Sequence, residues 1–252
     1  MRLQHITFTG IDAKTDIQAL KEIQREFPIA EFGVLTSYHW YENGNRYLDP
    51  RILRHEVMGN GLHLSLHICG SAASDAVRGR YADIFHLTYG CYCRIPRIQL
   101  NVAGRKDNPH VASATDWGHE VIVQQRDPDN LDLFAATLET WKDYLGKCSI
   151  LLDASGGRGI NTPLKVLPLT CKVGYAGGIN PENVGDKLDF LMREHTSGPF
   201  WIDMESGVRT NDWFDIDKVI KVLKICQPII QQYSWKELPS NKSLLRTNKV
   251  DY

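Results

Sequence analysis

KVGYAGGINPENVGDKL, residues 172–188, places two adjacent glycines between a strand-like run and a helix-like run. Gly177 and Gly178 tolerate the positive φ values that a tight turn requires. Bare backbone amides beside the N-terminus of a helix also form a pocket for a phosphate group. The stretch therefore predicts a strand, a glycine turn and a helix. It leaves two interpretations of the turn open, one mechanical and one chemical.

The composition is that of an ordinary globular protein. The 252 residues carry a formal net charge of −1, and 42% of them are hydrophobic and 23% charged. A near-neutral balance argues against nucleic acid as a partner, and no apolar run approaches the roughly 20 residues of a membrane span. The opening MRLQHITFTG lacks the apolar core of a signal peptide. We therefore expect a cytoplasmic protein without a nucleic-acid or membrane partner, and we predict no oligomeric state.

The six cysteines do not form a disulfide pattern, and we expect reduced thiols. They stand at positions 69, 91, 93, 148, 171 and 226. Cys91 and Cys93 form a lone CxC motif, without the second pair of ligands that a zinc site needs. We therefore predict neither a metal nor a cofactor.

Strand-like apolar runs alternate with helix-like segments along the chain. The strand candidates are 3–9, 29–36, 62–69, 97–102, 119–125, 148–153, 172–176 and 199–205. Helical periodicity is clearest in 15–27, 131–145 and 183–195. Eight such units predict a single (β/α)8 TIM barrel over residues 1–233, followed by a polar tail at 234–252. A doubly wound open sheet is the competing fold, but no glycine-rich dinucleotide motif follows the first strand.

Side-chain alternation predicts which strand residues face the barrel interior. The apolar set of the third strand should meet the helices, so its polar set should point inward. The inward residues predicted in this way are His5, Thr7, Thr9, His63, Ser65, His67, Cys69, Gln99, Asn101, Asp153, Asp203 and Glu205. A structural barrel interior is usually filled by branched apolar residues. The polar character of this set therefore indicates a ligand site at the upper, carboxyl end of the strands.

Three stretches in the second half of the chain resemble a known family. SILLDASGGRG (149–159), YAGGINPENV (175–184) and WIDMESGVR (201–209) are similar to the last three strands of phosphoribosylanthranilate isomerase of tryptophan biosynthesis. In the first half, TGIDAKTD, FGVLTS, NRYLDP and RIQLN resemble its first loop, second strand, arginine–tyrosine loop and fourth strand. The resemblance covers about residues 3–225.

The resemblance implies a site for a phosphorylated sugar, which is the expected partner. The residues that match the family's phosphate loops are Gly157, Gly159, Gly177, Gly178, Asn180, Ser206 and Gly207. Backbone amides at loop tips and at a helix N-terminus favour a dianion, so the physics agrees. The alternative interpretation is that these glycines serve only as barrel turns.

The resemblance also implies an Amadori rearrangement, in which a ribosylamine opens and tautomerises to an aminoketose. This reaction needs a general acid and a general base. Asp153 matches the family's acid, Arg46 the arginine that engages the substrate's carboxylate, and Asp203 an aspartate near the sugar hydroxyls. Asn101 and Glu205 face the same interior, and we predict both to bind substrate. A helix-capping Asp153 and a solvated Arg46 are the alternatives.

The sequence departs from the family at the base. Thr9 stands where the family has its catalytic cysteine, and a hydroxyl is too weak an acid to serve as its own base. Cys69, His67 and Glu205 are inward groups that would replace it, although each also has a purely structural interpretation. Glu205 is itself a departure, since the family has a small hydroxyl residue there, and the family's strand-five lysine is absent. A mixed metal site from His67, Asp153, Asp203 and Glu205 has no motif support.

Two functional hypotheses follow. The first is an isomerase similar to phosphoribosylanthranilate isomerase, acting on a phosphoribosyl amine, with catalytic residues drawn from Asp153, Cys69 and Thr9. The second is an inactive or repurposed phosphosugar-binding barrel that acts as a sensor or sequesters its ligand. A Schiff-base aldolase ranks last, because none of the predicted inward positions is a lysine.

Overall fold

The strands of the protein close into a parallel barrel. The computed structural model describes residues 2–39, 44–77, 80, 95–101, 119–125, 148–153, 155, 158–167, 171–196 and 198–237. The barrel strands are β1 Leu3–Thr9, β2 Ala30–Thr36, β3 Leu64–Cys69, β4 Arg97–Asn101, β5 Glu120–Gln125, β6 Cys148–Asp153, β7 Val173–Ala176 and β8 Phe200–Met204. Each strand pairs with the next, and β8 pairs with β1. The predicted single (β/α)8 barrel is thereby confirmed.

The described helices are α1 Ile17–Glu26, α2 Gly70–Val77, α3 Val184–Glu194 and α4 Ile216–Glu237, with short helical turns at Pro50–Ile52 and Leu53–Val57. Asp16 starts α1, since its carboxylate accepts hydrogen bonds from the amides of Gln18 and Ala19. The helices predicted at 15–27 and 183–195 are confirmed, and the one at 131–145 lies outside the described residues. None of the helices described is long and apolar enough to cross a bilayer.

The end of α4 bears on the predicted domain boundary. The helix continues to Glu237, four residues past the boundary placed at 233. The remaining tail, 238–252, lies outside the described residues, as do Cys91 and Cys93.

The outward faces of the strands form the main core between the barrel and its helices. Leu66 and Ile68 on β3 are fully buried on this side, whereas Ser65 and His67 alternate with them and face the interior. The predicted alternation therefore holds within the strand. It was wrong for His63, which precedes β3 and is exposed, because the strand begins two residues later than the sequence pattern indicates.

Charged residues fill the lower end of the barrel. The Arg97 guanidinium contacts Glu31 at 2.5 Å and Glu120 at 3.2 Å, and the Lys172 ammonium contacts Glu120 at 2.8 Å. Arg97 and Glu31 are almost completely buried. A buried charge is tolerated when it is paired and hydrogen-bonded. This ion network closes the lower end of the barrel and leaves the upper end for a ligand.

A small apolar layer separates the ion network from the upper end. It consists of Ile122, Leu151 and Trp201. The Arg97 guanidinium lies 4.6 Å from the centre of the Trp201 ring, a cation–π distance. The indole occupies the space that a side chain on Gly174 would need, so glycine at this position of β7 allows the large ring inside the barrel.

A two-stranded hairpin follows β8 and lies against the upper end. Its strands are β9 Arg209–Thr210 and β10 Trp213–Phe214. The two turn residues between them, Asn211 and Asp212, have φ values of 50° and 60°, which is the geometry of a type I′ turn. The buried Arg209 side chain pairs with Asp12 at 3.1 Å and donates to the Gly10 carbonyl. The hairpin is thereby fixed to the loop after β1.

Candidate active site

A cavity of about 370 Å³ opens at the upper end of the barrel. The predicted site residues on its wall are Thr9, Arg46, Cys69, Asn101, Asp153, Gly159, Gly177, Gly178, Asp203, Glu205 and Ser206. Asn180 and Gly207 lie in the adjoining loops, and Gly157 falls outside the described residues. The fold thus brings most of the predicted residues together around one space.

Asp153 ends β6, and three hydrogen bonds fix its carboxylate. Gln124 donates to Oδ2 at 2.7 Å, while the amide and hydroxyl of Ser155 donate to Oδ1 at 3.1 and 2.6 Å. The sequence analysis identified neither partner. Strand alternation in β5 places Gln124 inward, and Asp-x-Ser is a common turn pattern, so both carried a signal. The result is a buried carboxyl group of fixed orientation on the cavity wall.

Thr9, at the end of β1, and Asp203, on β8, form a hydrogen-bonded pair. β7 separates this pair from Asp153 on β6. The Thr9 hydroxyl donates to Asp203 Oδ1 at 2.7 Å, and both residues are nearly inaccessible to solvent. A side chain on Gly33 of β2 would lie 2.5 Å from the Thr9 oxygen. Glycine at this position therefore leaves room for the threonine to reach the aspartate.

The environment of Asp203 favours its protonated form. Burial raises the pKa of its carboxyl group to about 8, and the nearby carboxyl groups of Glu205 and Asp153 act in the same direction, whereas the Thr9 hydrogen bond opposes them. A general acid or base works best when its pKa lies near the working pH. Asp203 is therefore a group that exchanges a proton close to neutrality.

A chain of polar side chains runs inward from Cys69. The amide of Asn101 donates to the Cys69 sulfur at 3.2 Å, and Gln99 Nε2 lies 3.0 Å from Asn101 Oδ1 and 3.1 Å from His67 Nδ1. Nδ1 therefore accepts, so the ring proton is assigned to Nε2, which lies 3.1 Å from the Ser65 hydroxyl. Burial lowers the pKa of His67 to about 3. His67 is thus a neutral histidine with both nitrogens engaged, which favours the structural interpretation.

Arg46 is held by two carboxylates of the protein. It ends a short 3-10 turn, Gly44–Arg46, where Nε donates to Asp212 at 2.8 Å and a terminal nitrogen donates to Glu205 at 3.0 Å. Burial raises the pKa of Glu205, and the Arg46 charge opposes that shift. Asp212 was not predicted from the sequence, although Asn and Asp tolerate positive φ and are therefore typical of hairpin turns.

The loops after β6, β7 and β8 meet at one side of the cavity. Glycine permits this close approach, because a side chain at three positions would collide with the neighbouring loop. The three contacts are Gly159 with Ser206, Gly178 with the amide of Asn161, and Gly207 with the carbonyl of Ile179. A backbone hydrogen bond from Thr162 to Gly177 also joins the first two loops.

The loop after β7 turns its carbonyls toward α3. The Gly177 carbonyl accepts from the Lys187 ammonium at 3.2 Å, and the Gly178 carbonyl accepts from the Asn183 side-chain amide at 2.9 Å. In a planar trans peptide, the carbonyl and the following N–H point in opposite directions. The amides of Gly178 and Ile179 therefore point away from α3. Both residues lie on the cavity wall, and successive backbone amides of this kind form a concavity with the geometry to accept an anion.

Asn180 shapes the turn that leads into α3. Its side-chain oxygen accepts from the amides of Glu182 and Asn183 at 3.0 and 3.1 Å, and its own amide donates to the Asn183 side chain at 3.0 Å. The structure therefore places Asn180 behind the concavity and not on the cavity wall. Lys187 and Asn183, which sequence reasoning missed, are the residues that orient the loop.

A comparison with models of protein families identifies the family of the chain. The model of N-(5'-phosphoribosyl)anthranilate isomerase matches residues 98–225, just over half of the protein. The chain belongs to this family. The resemblance noted in the sequence is thereby confirmed.

Solved structures of phosphoribosylanthranilate isomerases share the barrel. The enzyme from Pyrococcus furiosus is 16% identical with a TM-score of 0.54, and that from Thermococcus kodakaraensis is 17% identical with a TM-score of 0.53; each match covers 89% of this chain and 99% of the other. A truncated 3-deoxy-D-arabino-heptulosonate 7-phosphate synthase from Thermotoga maritima is 12% identical with a TM-score of 0.57, covering 93% of this chain and 88% of the synthase. At these identities the likeness shows the fold alone. No curated protein sequence gives a significant match.

Within the family's barrel, the carboxyl groups of this member are arranged without a recognisable metal centre. Among the residues that the structure describes, no group of three or more His, Cys, Asp or Glu side chains has the geometry to hold a metal ion.

Proposed function

We propose that this member of the phosphoribosylanthranilate isomerase family catalyses an Amadori-type isomerisation of a phosphoribosyl amine. One observation carries the proposal. A concavity of backbone amides, at Gly178 and Ile179, lies on the same cavity wall as two separately held carboxyl groups, Asp153 and Asp203. An anion site beside two proton-exchanging groups is what the isomerisation of a phosphorylated sugar requires.

The amide concavity is the proposed phosphate site. The dianion accepts from the amides of Gly178 and Ile179, with the loops after β6 and β8 closing around it at Gly159, Ser206 and Gly207. Lys187 places a positive charge behind the loop, bonded to the carbonyls of Gly177 and Thr162. Amides and a nearby cation both favour a bound anion.

Asp153 is the proposed general acid. It protonates the ring oxygen of the ribosylamine, so that the bond between the ring oxygen and C1 breaks and an open-chain iminium forms. Gln124 and Ser155 hold the carboxyl group at a fixed orientation for this transfer. Fixed placement of the reacting groups lowers the entropic cost of the step.

Asp203 is the proposed general base, with Thr9 as the residue that positions it. Its carboxylate removes the proton from C2 of the iminium to give an enolamine. The enolamine takes up a proton at C1 and loses the proton of its C2 hydroxyl, which gives the aminoketose. Asp203 lies beside the threonine that stands in the place of the family's cysteine, and its pKa of about 8 is close to the roughly 8.5 of an ordinary thiol. Cys69, bonded to Asn101, is the second candidate base.

A phosphosugar-binding barrel without turnover is the second candidate function. Thr9 favours it, because the residue that replaces the family's cysteine has no ability to take a proton at neutral pH. In that case the phosphate site is retained, and the protein acts as a sensor or sequesters the sugar.

Turnover in heavy water separates the two functions. We expect NMR to show the aminoketose, with deuterium at C1, when the purified protein is incubated with 5-phosphoribosylamines. Asp153→Asn and Asp203→Asn should each lose roughly 10²–10⁴-fold in rate while retaining thermal stabilisation by ribose 5-phosphate. Stabilisation without any product supports the binding function. A protein that neither binds ribose 5-phosphate nor turns over a substrate contradicts both.

A further inference from the structure

The mouth of the cavity contains a guanidinium group that the protein itself already neutralises. Arg46 donates to Asp212 at 2.8 Å and to Glu205 at 3.0 Å. We infer that Glu205 sets the substrate class, so that the amine half of the substrate carries no carboxylate and is neutral or cationic. The inference rests on the proposed function, since it describes the other half of the same phosphoribosyl amine.

The charges on the cavity wall support this assignment. Arg46 is the only lysine or arginine among the described residues of the wall, whereas three carboxyl groups lie there, those of Asp153, Asp203 and Glu205. Apart from the phosphate loops, the part of the wall that the structure describes therefore has no surplus positive charge. A carboxylate on the amine half would lie near these carboxyl groups, with no unpaired lysine or arginine among the described residues of the wall.

The neighbouring arginine does not supply that cation. The Arg209 side chain is 3% exposed, and it is engaged by Asp12 at 3.1 Å and by the carbonyls of Gly10 and Asp212. Its charge stabilises the loop after β1 and the hairpin after β8. It is therefore committed to the fold and does not reach a ligand.

A substrate carboxylate would also have to displace Glu205. The Glu205 side chain is only 27% exposed. If an incoming carboxylate took Arg46, Glu205 would remain largely buried without its partner, which is strongly unfavourable. The existing pair therefore acts against an anionic amine half.

Glu205 instead offers an acceptor for hydrogen-bond donors. Among the described residues, the hydrogen bonds of Glu205 involve only Oε1, through Arg46. The second carboxylate oxygen is thus available to an amino, amide or ammonium group. An unpaired arginine would bind a planar anion. With Glu205 paired to Arg46, this part of the wall instead favours a hydrogen-bond donor.

A matched pair of stable analogues tests the inference by calorimetry. We choose two 1-(arylamino)-1-deoxyribitol 5-phosphates that differ only in an ortho carboxylate or an ortho carboxamide on the ring. The protein should bind the carboxamide at least 10-fold more tightly. Glu205→Ser, which leaves Arg46 paired with Asp212 alone, should improve binding of the carboxylate analogue at least 10-fold and reverse the preference.

The controls keep the outcomes distinct. Glu182→Ser, at an exposed glutamate paired with Lys221 on the helix surface, should leave the preference unchanged. Glu205→Gln keeps the size of the side chain and should shift the preference in the same direction as Glu205→Ser if the serine variant folds poorly. Tighter binding of the carboxylate by the unaltered protein overturns the inference alone. Failure of ribose 5-phosphate and both analogues to bind overturns the proposed function instead.

Discussion

Asp203 is the buried carboxyl group that the proposed mechanism uses as its general base. Among the described residues, its one hydrogen-bond donor is the Thr9 hydroxyl at 2.7 Å. A single hydrogen bond therefore opposes the effect of burial, and the pKa of Asp203 rises to about 8. Asp153, with three donors, has a different environment. The two carboxyl groups therefore lie in unlike surroundings, and in the proposed mechanism Asp203 acts as the base only where the pH is high enough to remove its proton.

The rate of isomerisation should rise with pH up to about 8. The proposed base acts only as the carboxylate, so turnover should increase through the pKa of Asp203, which is about 8. A profile of kcat against pH checks this. Asp203→Asn should abolish the rise of kcat with pH and most of the activity. Turnover that falls above pH 8 would instead assign Asp203 the acid role.

Asp203→Asn should stabilise the protein at alkaline pH. The folded pKa of about 8 lies above the ordinary value of 3.8, so between these values the folded state holds a proton that the unfolded state has lost. The contribution of Asp203 to the free energy of unfolding is therefore fully present below about pH 3.8, and it is lost as the pH rises to about 8. Thermal melts should show a Tm advantage of the variant that grows from pH 5 to pH 8.5, with the exposed Glu26→Gln as control. An advantage that is independent of pH would contradict the account.

At the scale of elements, α3 determines how the loop after β7 faces the cavity. Two residues one helical turn apart, Asn183 and Lys187, bind consecutive carbonyls of that loop. The sequence analysis identified the glycines because their positive φ has a clear signature. It did not identify Asn183 and Lys187 as the residues that hold the loop, because a polar residue at the start of a helix is equally typical of a solvent-exposed face.

Lys187→Met should weaken phosphate binding. Removing the ammonium frees the carbonyls of Gly177 and Thr162, and a hydrogen bond from a charged group contributes about 1.5–3 kcal/mol. We expect roughly a 10-fold or greater loss of affinity for ribose 5-phosphate, measured by calorimetry. Lys224→Met, at an exposed position of α4, should have no effect. Equal affinities of the two variants would show that the lysine does not orient the loop.

At the scale of the whole molecule, the barrel has a structural lower end and a chemical upper end. The eight strands were predictable within two residues, because each carries its own apolar run and alternation. The ion network at the lower end was not predictable from the sequence. Its members are Glu31 on β2, Arg97 on β4, Glu120 on β5 and Lys172 directly before β7. Only the register between the strands shows that they neutralise one another. The contacts among the three loops depend on tertiary structure in the same way.

Arg97→Met should destabilise the fold without acting on the chemistry. It leaves Glu31 buried without its guanidinium partner, and breaking a buried ion pair in this way costs roughly 3–5 kcal/mol. Urea denaturation should show that loss, and Arg97→Met combined with Glu31→Gln should recover part of it. Turnover by the remaining folded protein should be unchanged, since the network lies below the layer of Ile122, Leu151 and Trp201. A single variant as stable as the unaltered protein would contradict the role of the network.

The measurement that tests the central claim most directly is a crystal structure with ribose 5-phosphate. The account predicts the phosphate against the amides of Gly178 and Ile179, between the loops after β6 and β8, with the sugar extending toward Asp153 and Asp203. A phosphate bound elsewhere, or a sugar that reaches neither carboxyl group, would contradict it.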